Sequence, residues 1–272
     1  MGLITNILHG IRKNLNWQEP QTRFAPISWF AGKIIKHEDD TTLKLRKLGP
    51  VSVLYKRPYE LLKTYKEIFV CEIYRFDTSS ALPVIIDCGA NIGISSLYFK
   101  TIYPNATLIA FEPDDSLAEI FQKNMHQNGV TNFTLHKAAV WTENGTISFS
   151  NKGSEASSID VSGNSSSTVS TVKLASVLAE HPTIELLKID IEGAEYPVIQ
   201  DIAAELNRVK NMFIEYHGLA SETYKLDTIL RIVSEAGFKC YIKMAADNLD
   251  MPFYQKQTGT IYDVQLNIFC YR

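Results

Sequence analysis

Val84-Ile85-Ile86-Asp87-Cys88-Gly89-Ala90-Asn91-Ile92-Gly93 is the stretch that decides the architecture. Its opening, Val84-Ile85-Ile86-Asp87, is a short apolar run of the kind that forms a strand buried on both faces. A glycine-rich turn follows, and Ile94 to Lys100 then reads as a helix. Glycines between a strand and a helix let the backbone turn tightly and approach a ligand. The helix start adds unpaired N–H groups that face an anionic group. An NAD-binding loop would read G-x-G-x-x-G. Counted from Gly89, its second and third glycines would fall on Asn91 and Ile94, so this loop suits a pyrophosphate poorly.

The strand–helix alternation continues downstream. Ala106 to Glu112 reads as a second strand, and Ser116 to Asn128 as a second helix ended by Gly129. Thr131 to Val140 is a third strand, Leu186 to Ile191 a fourth, and residues 195 to 206 the next helix. Asn211 to Tyr216 is a fifth strand, followed by a helix over 223 to 236 and then Gly237. Phe238 to Lys243 and Gln265 to Tyr271 close the chain as strands. Repeated β-α units predict an α/β, Rossmann-like fold: a mostly parallel seven-stranded sheet with helices on both faces. An antiparallel final strand is compatible with it. Asn144-Gly145, within Glu143-Asn144-Gly145-Thr146, is a hairpin turn signal. Residues 150 to 170 are dominated by Ser, Gly and Asn, a composition too polar to offset the entropy of ordering. They read as a flexible loop, either a connector or a substrate lid.

Residues 1 to 80 read as an N-terminal extension to a domain spanning 81 to 272. Leu3, Ile4, Ile7, Leu8, Ile11 and Leu15 recur at helical spacing, with Arg12 and Lys13 among them. Such a helix packs on the domain or a partner subunit, with a peripheral membrane contact through residues 3 to 15 as the alternative. The polar run His37-Glu38-Asp39-Asp40-Thr41-Thr42 precedes Val51 to Tyr55, a short strand rich in β-branched and aromatic residues. Residues 58 to 69 read as a helix with Pro58 in its first turn. Trp17, Trp29 and Phe30 suit a homodimer contact or core packing equally.

Composition excludes several classes. Hydrophobic residues make up 45% of the 272 and charged residues 21%, ordinary for a soluble globular protein. The net charge is −3, so no global basic field calls for a nucleic-acid partner. Cys71, Cys88, Cys240 and Cys270 are scattered and form no C-x-x-C pair, which argues against a zinc site or a disulfide scaffold. Reduced thiols, no signal-type apolar run and no stretch of membrane-spanning length predict a cytoplasmic protein without a transmembrane segment.

Three further segments carry chemistry. Phe111-Glu112-Pro113 ends the second strand, with Glu112 roughly 20 residues past the glycine turn, where a carboxylate accepts both hydroxyls of a ribose. That spacing does not separate NAD from S-adenosylmethionine (SAM), because both carry an adenosine ribose. Lys188-Ile189-Asp190-Ile191-Glu192-Gly193-Ala194-Glu195 puts three acids at the carboxyl end of a buried strand. Phe213-Ile214-Glu215-Tyr216-His217-Gly218 repeats the arrangement on the next one. Charged residues are seldom buried without partners, so acids and a histidine at neighbouring strand ends point to a site. Helix capping and pairing with Lys188 are the alternative.

On these residues the chain resembles the FkbM family of SAM-dependent methyltransferases. The resemblance rests on VIIDCGANIGISSLY from Val84, Phe111-Glu112-Pro113-Asp114, KAAVWTENGTISF from Lys137 and LLKIDIEGAEYPVI from Leu186, and covers roughly residues 80 to 218. It implies a class I methyltransferase fold and O-methylation of sugar or secondary-metabolite hydroxyls. It assigns Asp87, Gly89, Asn91 and Gly93, with Ala90, to the methionine portion of SAM. Glu112, with Pro113, goes to the ribose, and Ala138 or Ala139 to the adenine. Asp190 and Glu192 face the transferred methyl. Many members carry an Asp in the segment here read as Val172 to Leu178, where this chain has Ala175.

The expected activity is transfer of a methyl group from SAM to a hydroxyl of a sugar, polysaccharide precursor or secondary metabolite, releasing S-adenosylhomocysteine. His217 is the first candidate base because its reference pKa lies near neutrality. Asp190 or Glu192 serves instead where burial raises its pKa. A third option makes Asp190, Glu192, Glu215 and His217 ligands of a divalent cation, although no metal is assigned. A lipid or peptide acceptor, an NAD-dependent oxidoreductase or epimerase, and a non-catalytic SAM-binding module are the other readings. The oxidoreductase would need a loop tolerant of Asn91 and Ile94, and no Tyr-x-x-x-Lys pair stands near the strand ends.

Overall fold

The computed structural model describes residues 22–150, 158–159, 167–246, 251, 253–254 and 262–272. The amphipathic segment 3 to 15 and Trp17 lie outside the described residues.

The N-terminal part opens with helix α1 (Trp29–Lys36), whose Ser28 side chain accepts from the Ala31 N–H as an N-cap. A hairpin of β1 (Lys44–Leu48) and β2 (Val51–Tyr55) follows. In β2, Val51, Val53 and Tyr55 are buried and the residues between them are not, the period of a half-buried strand. Helix α2 (Pro58–Tyr65) runs into a π-helical turn, Lys66–Val70. These elements share one core with the β-α units. Ile35, Val53, Tyr65 and Phe69 cluster with Tyr98, Phe99 and Phe121. Trp29 and Phe30 do not join that core; both stand on α1, 75% and 70% exposed.

The β-α units then run β3 (Val84–Cys88), α3 (Ile94–Ile102), β4 (Thr107–Phe111), α4 (Asp115–Gln127) and β5 (Thr134–His136). Asp114 caps α4 through the Ser116 and Leu117 N–H groups, and Gly129, at φ +73°, turns the chain away after it. After β6 (Ala139–Trp141), β7 (Gly145–Ser150), β8 (Ser158–Ile159) and β9 (Ser167–Lys173) come α5 (Leu174–Ala179) and β10 (Ile184–Ile189). The chain continues with α6 (Glu195–Asp201), a 3₁₀ turn (Ala203–Arg208), β11 (Val209–Gly218), α7 (Thr223–Glu235), β12 (Lys239–Ala246) and β13 (Val264–Tyr271).

The main sheet has seven strands in the order β12-β13-β11-β10-β3-β4-β5. Strands β11, β10, β3, β4 and β5 are parallel, and β13 is antiparallel to both of its neighbours. One face carries α3, α4 and the N-terminal elements; the other carries α5, α6 and α7. The chain leaves β3 for β4 and β5 on one side, then returns to β10 and β11 on the other. That reversal opens a crevice at the carboxyl ends of β3 and β10, where open α/β sheets bind ligands. Among the described residues no helix is long and apolar enough to cross a membrane.

Three sequence expectations change. The single strand expected over Thr131 to Val140 is two: β5 joins the main sheet, while β6 leaves it for a four-stranded sheet ordered β6-β9-β7-β8. The stretch expected as one flexible loop contains β8 and the first four residues of β9, where Thr168 and Val169 are β-branched and pair with β7. Asn144-Gly145 does not close a tight hairpin either, since β9 lies between β6 and β7. The turn instead clips onto β9: the Asn144 side-chain oxygen accepts from the Lys173 N–H at 2.8 Å, and the Glu143 carbonyl from the Thr171 hydroxyl at 2.9 Å.

Candidate active site

A cavity of about 870 Å³ lies over the carboxyl ends of the parallel strands, within the size range of small-molecule sites. Gly89, Ala90, Asn91, Glu112, Pro113, Ala138, Ala139, Asp190, Glu192 and His217 all line it. Strands β4, β3, β10 and β11 thus bring together most of the residues singled out from the sequence.

The glycine loop is fixed by backbone contacts. The N–H groups of Gly89 and Ala90 donate to the Phe111 carbonyl at 3.0 and 2.9 Å. Gly89 sits at φ +80°, and a Cβ there would stand 1.8 Å from the Asp190 carbonyl oxygen, so no side chain fits. The Asn91 N–H donates to Glu112 Oε2 at 2.8 Å, and the Asp114 N–H to Oε1 at 2.9 Å. Each carboxylate oxygen is therefore anchored by one backbone donor, which sets the side chain's orientation. Burial pushes the Glu112 pKa up to about 7, against the pull of those two hydrogen bonds. Asn124, fully buried on α4, ties the loop to the N-terminal hairpin. Its amide donates to the carbonyls of Ile92 and Leu54, and its oxygen accepts from the Leu54 N–H.

Two residues expected to touch the ligand lie behind the wall. Asp87 is fully buried. Its Oδ2 accepts from the Ser95 and Ser96 hydroxyls at 2.6 and 2.8 Å, and its Oδ1 is 3.3 Å from Lys188 Nζ. Gly93, at φ +88°, packs where a Cβ would meet the Phe121 ring at 2.8 Å. Both support the loop from beneath.

Lys188 connects the loop to the acidic strand ends. Its buried ammonium donates to the Gly89 carbonyl at 2.9 Å and pairs with Asp87 and Asp190, each at 3.3 Å. Burial disfavours its charge, but Asp190 and Asp87 outweigh that and hold its pKa well above the usual lysine value.

The ends of β10 and β11 form the other side. The His217 ring is buried and its Nδ1 lies 3.1 Å from Glu195 Oε1. Glu195 also accepts from the Ile191 and Gly193 N–H groups of the loop ahead of α6, so it braces that loop and does not cap the helix. His217 Nε2 faces Glu192 Oε2 at 3.6 Å and Glu215 Oε1 at 3.8 Å. Burial works against the charged ring, but the Glu195 hydrogen bond and the charges of Glu195, Glu192 and Asp190 raise its pKa to about 10. Burial, and then like charge from Asp190, lifts Glu215 to about 8. Glu192 rises to about 9 through burial and the neighbouring acids, against the pull of His217.

Tyr262 completes this side without any local sequence signal. Its hydroxyl donates to the Glu192 carbonyl at 2.5 Å, and its ring lies 5.1 Å from the His217 ring. Glu192 adopts φ +53°, and a Cβ on Gly193 would meet the Tyr262 hydroxyl at 2.7 Å. Lys56, Arg57, Glu60, Lys63 and Tyr74 also line the cavity, so the N-terminal elements form part of its wall.

The Methyltransferase FkbM domain profile matches residues 87–240, more than half of the chain. The chain belongs to the FkbM methyltransferase family. It is 28% identical to a Methyltransferase 1 of Beauveria bassiana over 177 residues, 56% of this chain and 71% of that protein. It is also 28% identical to the 2-O-methyltransferase NoeI of Sinorhizobium fredii over 182 residues, covering 59% and 72% of the two chains. A solved methyltransferase FkbM of Methylobacillus flagellatus is 15% identical with a TM-score of 0.49, covering 75% of this chain and 47% of that one. In this FkbM methyltransferase the matched span holds the glycine loop, Glu112 and the acids of β10 and β11. The Lys56–Lys63 segment, Tyr74 and Tyr262 lie outside it.

Proposed function

We propose that this chain transfers a methyl group from SAM to a hydroxyl of a sugar, polysaccharide precursor or secondary metabolite. One observation carries the reading: a single cavity joins an anchored carboxylate, Glu112, to the Asp190–Glu192–His217 group. Neighbouring strands are about 4.8 Å apart, so β4 and β11, three strands apart in the sheet, separate the two ends by roughly 14 Å. That span suits a nucleoside at one end and an acceptor at the other.

SAM, when bound, supplies a methyl group on a positively charged sulfur, an electrophile that needs no activation. Each Glu112 oxygen holds one backbone N–H and keeps lone pairs for the two ribose hydroxyls. Ala138 and Ala139 are small and buried, a low wall for the adenine. Gly89, Ala90 and Asn91 would hold the methionine portion, leaving Asp190 and Glu192 beside the reacting carbon. The task of the protein is then alignment and exclusion of water.

An alcohol attacks as its proton leaves. The base role expected of His217 passes to Asp190 in this reading, because Glu195 and the surrounding acids keep a proton on the imidazole at neutral pH. His217 then donates to the acceptor, and Asp190, open to the cavity, takes the hydroxyl proton. With SAM bound, the methyl would pass to that oxygen and the electron pair of the broken C–S bond would stay on sulfur.

Purified protein incubated with methyl-labelled SAM and a panel of glycosides, polyols and amines tests the acceptor class. Label recovered as a methyl ether on a polyhydroxylated acceptor is the expected result. Label on amines only would sink it.

A further inference from the structure

We infer that Asp190, Glu192 and His217 form a binding site for one divalent transition-metal ion at the acceptor end of the cavity. One ligand atom from each lies within 4.8 Å of the others. An ion held about 2.0–2.3 Å from each of its ligand atoms keeps those atoms about 3 to 4.5 Å apart, so small side-chain adjustments close the set.

The histidine supplies an independent pointer. Its side chain is 2% exposed, yet among the described residues Nε2 makes no hydrogen bond; the Glu192 and Glu215 carboxylates stand off at 3.6 and 3.8 Å. The other nitrogen is taken by Glu195, itself fixed by two backbone N–H groups. A carboxylate on one ring nitrogen with the other turned toward carboxylate oxygens is the arrangement that orients metal-binding histidines. Asp190, Glu192 and Glu215 line the same end of the cavity as His217, so carboxylate oxygens stand beside the ring nitrogen.

The donor set chooses the ion. Two carboxylates and an imidazole favour Mn²⁺, Fe²⁺ or Zn²⁺ over Mg²⁺ and Ca²⁺, which take oxygen ligands. An ion there would meet the acceptor's oxygen and lower its proton affinity, taking over that task from Asp190. This catalytic use rests on the methyl-transfer reading; the binding does not.

The test is Mn²⁺ titration of the chelator-stripped full chain, followed by the paramagnetic resonance of free Mn²⁺. One equivalent should bind with micromolar affinity, and Mg²⁺ should compete at least about tenfold more weakly. His217→Gln and Asp190→Asn should each weaken Mn²⁺ by about tenfold or more. Where a variant does not fold, Mn²⁺-induced broadening of the His217 ring signals in the unsubstituted protein locates the ion instead. No Mn²⁺ or Zn²⁺ binding below millimolar, or binding that leaves His217 unbroadened, overturns the inference. SAM titration of the same sample separates the two readings: a protein that binds SAM but takes up no added ion loses only the metal site, and one that takes up the ion but binds no SAM loses only the methyl-transfer reading.

Discussion

Glu112→Ala should weaken SAM binding by about 100-fold or more. The substitution removes two charge-assisted hydrogen bonds to the ribose, each contributing about 1.5–3 kcal/mol, and every ~1.4 kcal/mol is a factor of ten. It also strips the Asn91 and Asp114 N–H groups of their acceptor, so the loop loses its anchor. Glu112→Gln keeps one acceptor oxygen and should lose only about tenfold. The pH dependence follows from the carboxyl. Burial raises its pKa to about 7, and the ionised form is the one that accepts. SAM affinity is therefore full above that value and falls by up to about tenfold per unit as the pH drops below it. The Gln variant should be flat over the same range. Calorimetry at several pH values measures all of this, and unchanged affinity in Glu112→Ala would remove the carboxylate from the cofactor site.

Asp190→Asn should lower kcat by about 10²–10⁴-fold, the range for loss of a positioned base, while SAM affinity changes by no more than about threefold. The Asn is isosteric, and Lys188 keeps the Gly89 carbonyl and Asp87 as partners, so the loop stays in place. Single-turnover methyl transfer beside SAM titration separates the two quantities. An equal loss in both would place Asp190 at the cofactor end instead.

Much of this arrangement was legible in the sequence, for a local reason. Strands buried on both faces announce themselves as short apolar runs, and β3, β4 and β10 each end at a polar motif. What the motifs do not give is depth. Glu112 and Asp190 stand one residue past the last residues of their strands, Phe111 and Ile189, and reach the cavity. Asp87 is one residue short of the end of β3, so its side chain is buried beneath the loop. The same motif letter thus carries opposite roles depending on two residues of depth along the strand. Glu215 and His217 escape this rule because β13 pairs with β11 out to Gly218 and prolongs it.

The remaining parts of the site come from long range. Tyr262 meets Glu192 across 70 residues, and Asn124 meets Leu54 across the same separation. No window of local sequence contains either pair. The small sheet was missed because serine and glycine dominate its segment while its β-branched minority forms the pairing.

Calorimetric titration of the full chain with SAM, S-adenosylhomocysteine and NAD tests the cofactor assignment most directly. Micromolar binding of both SAM-type ligands and none of NAD is the predicted result. Binding of NAD, with neither SAM-type ligand bound, would contradict it and make the glycine loop a dinucleotide site.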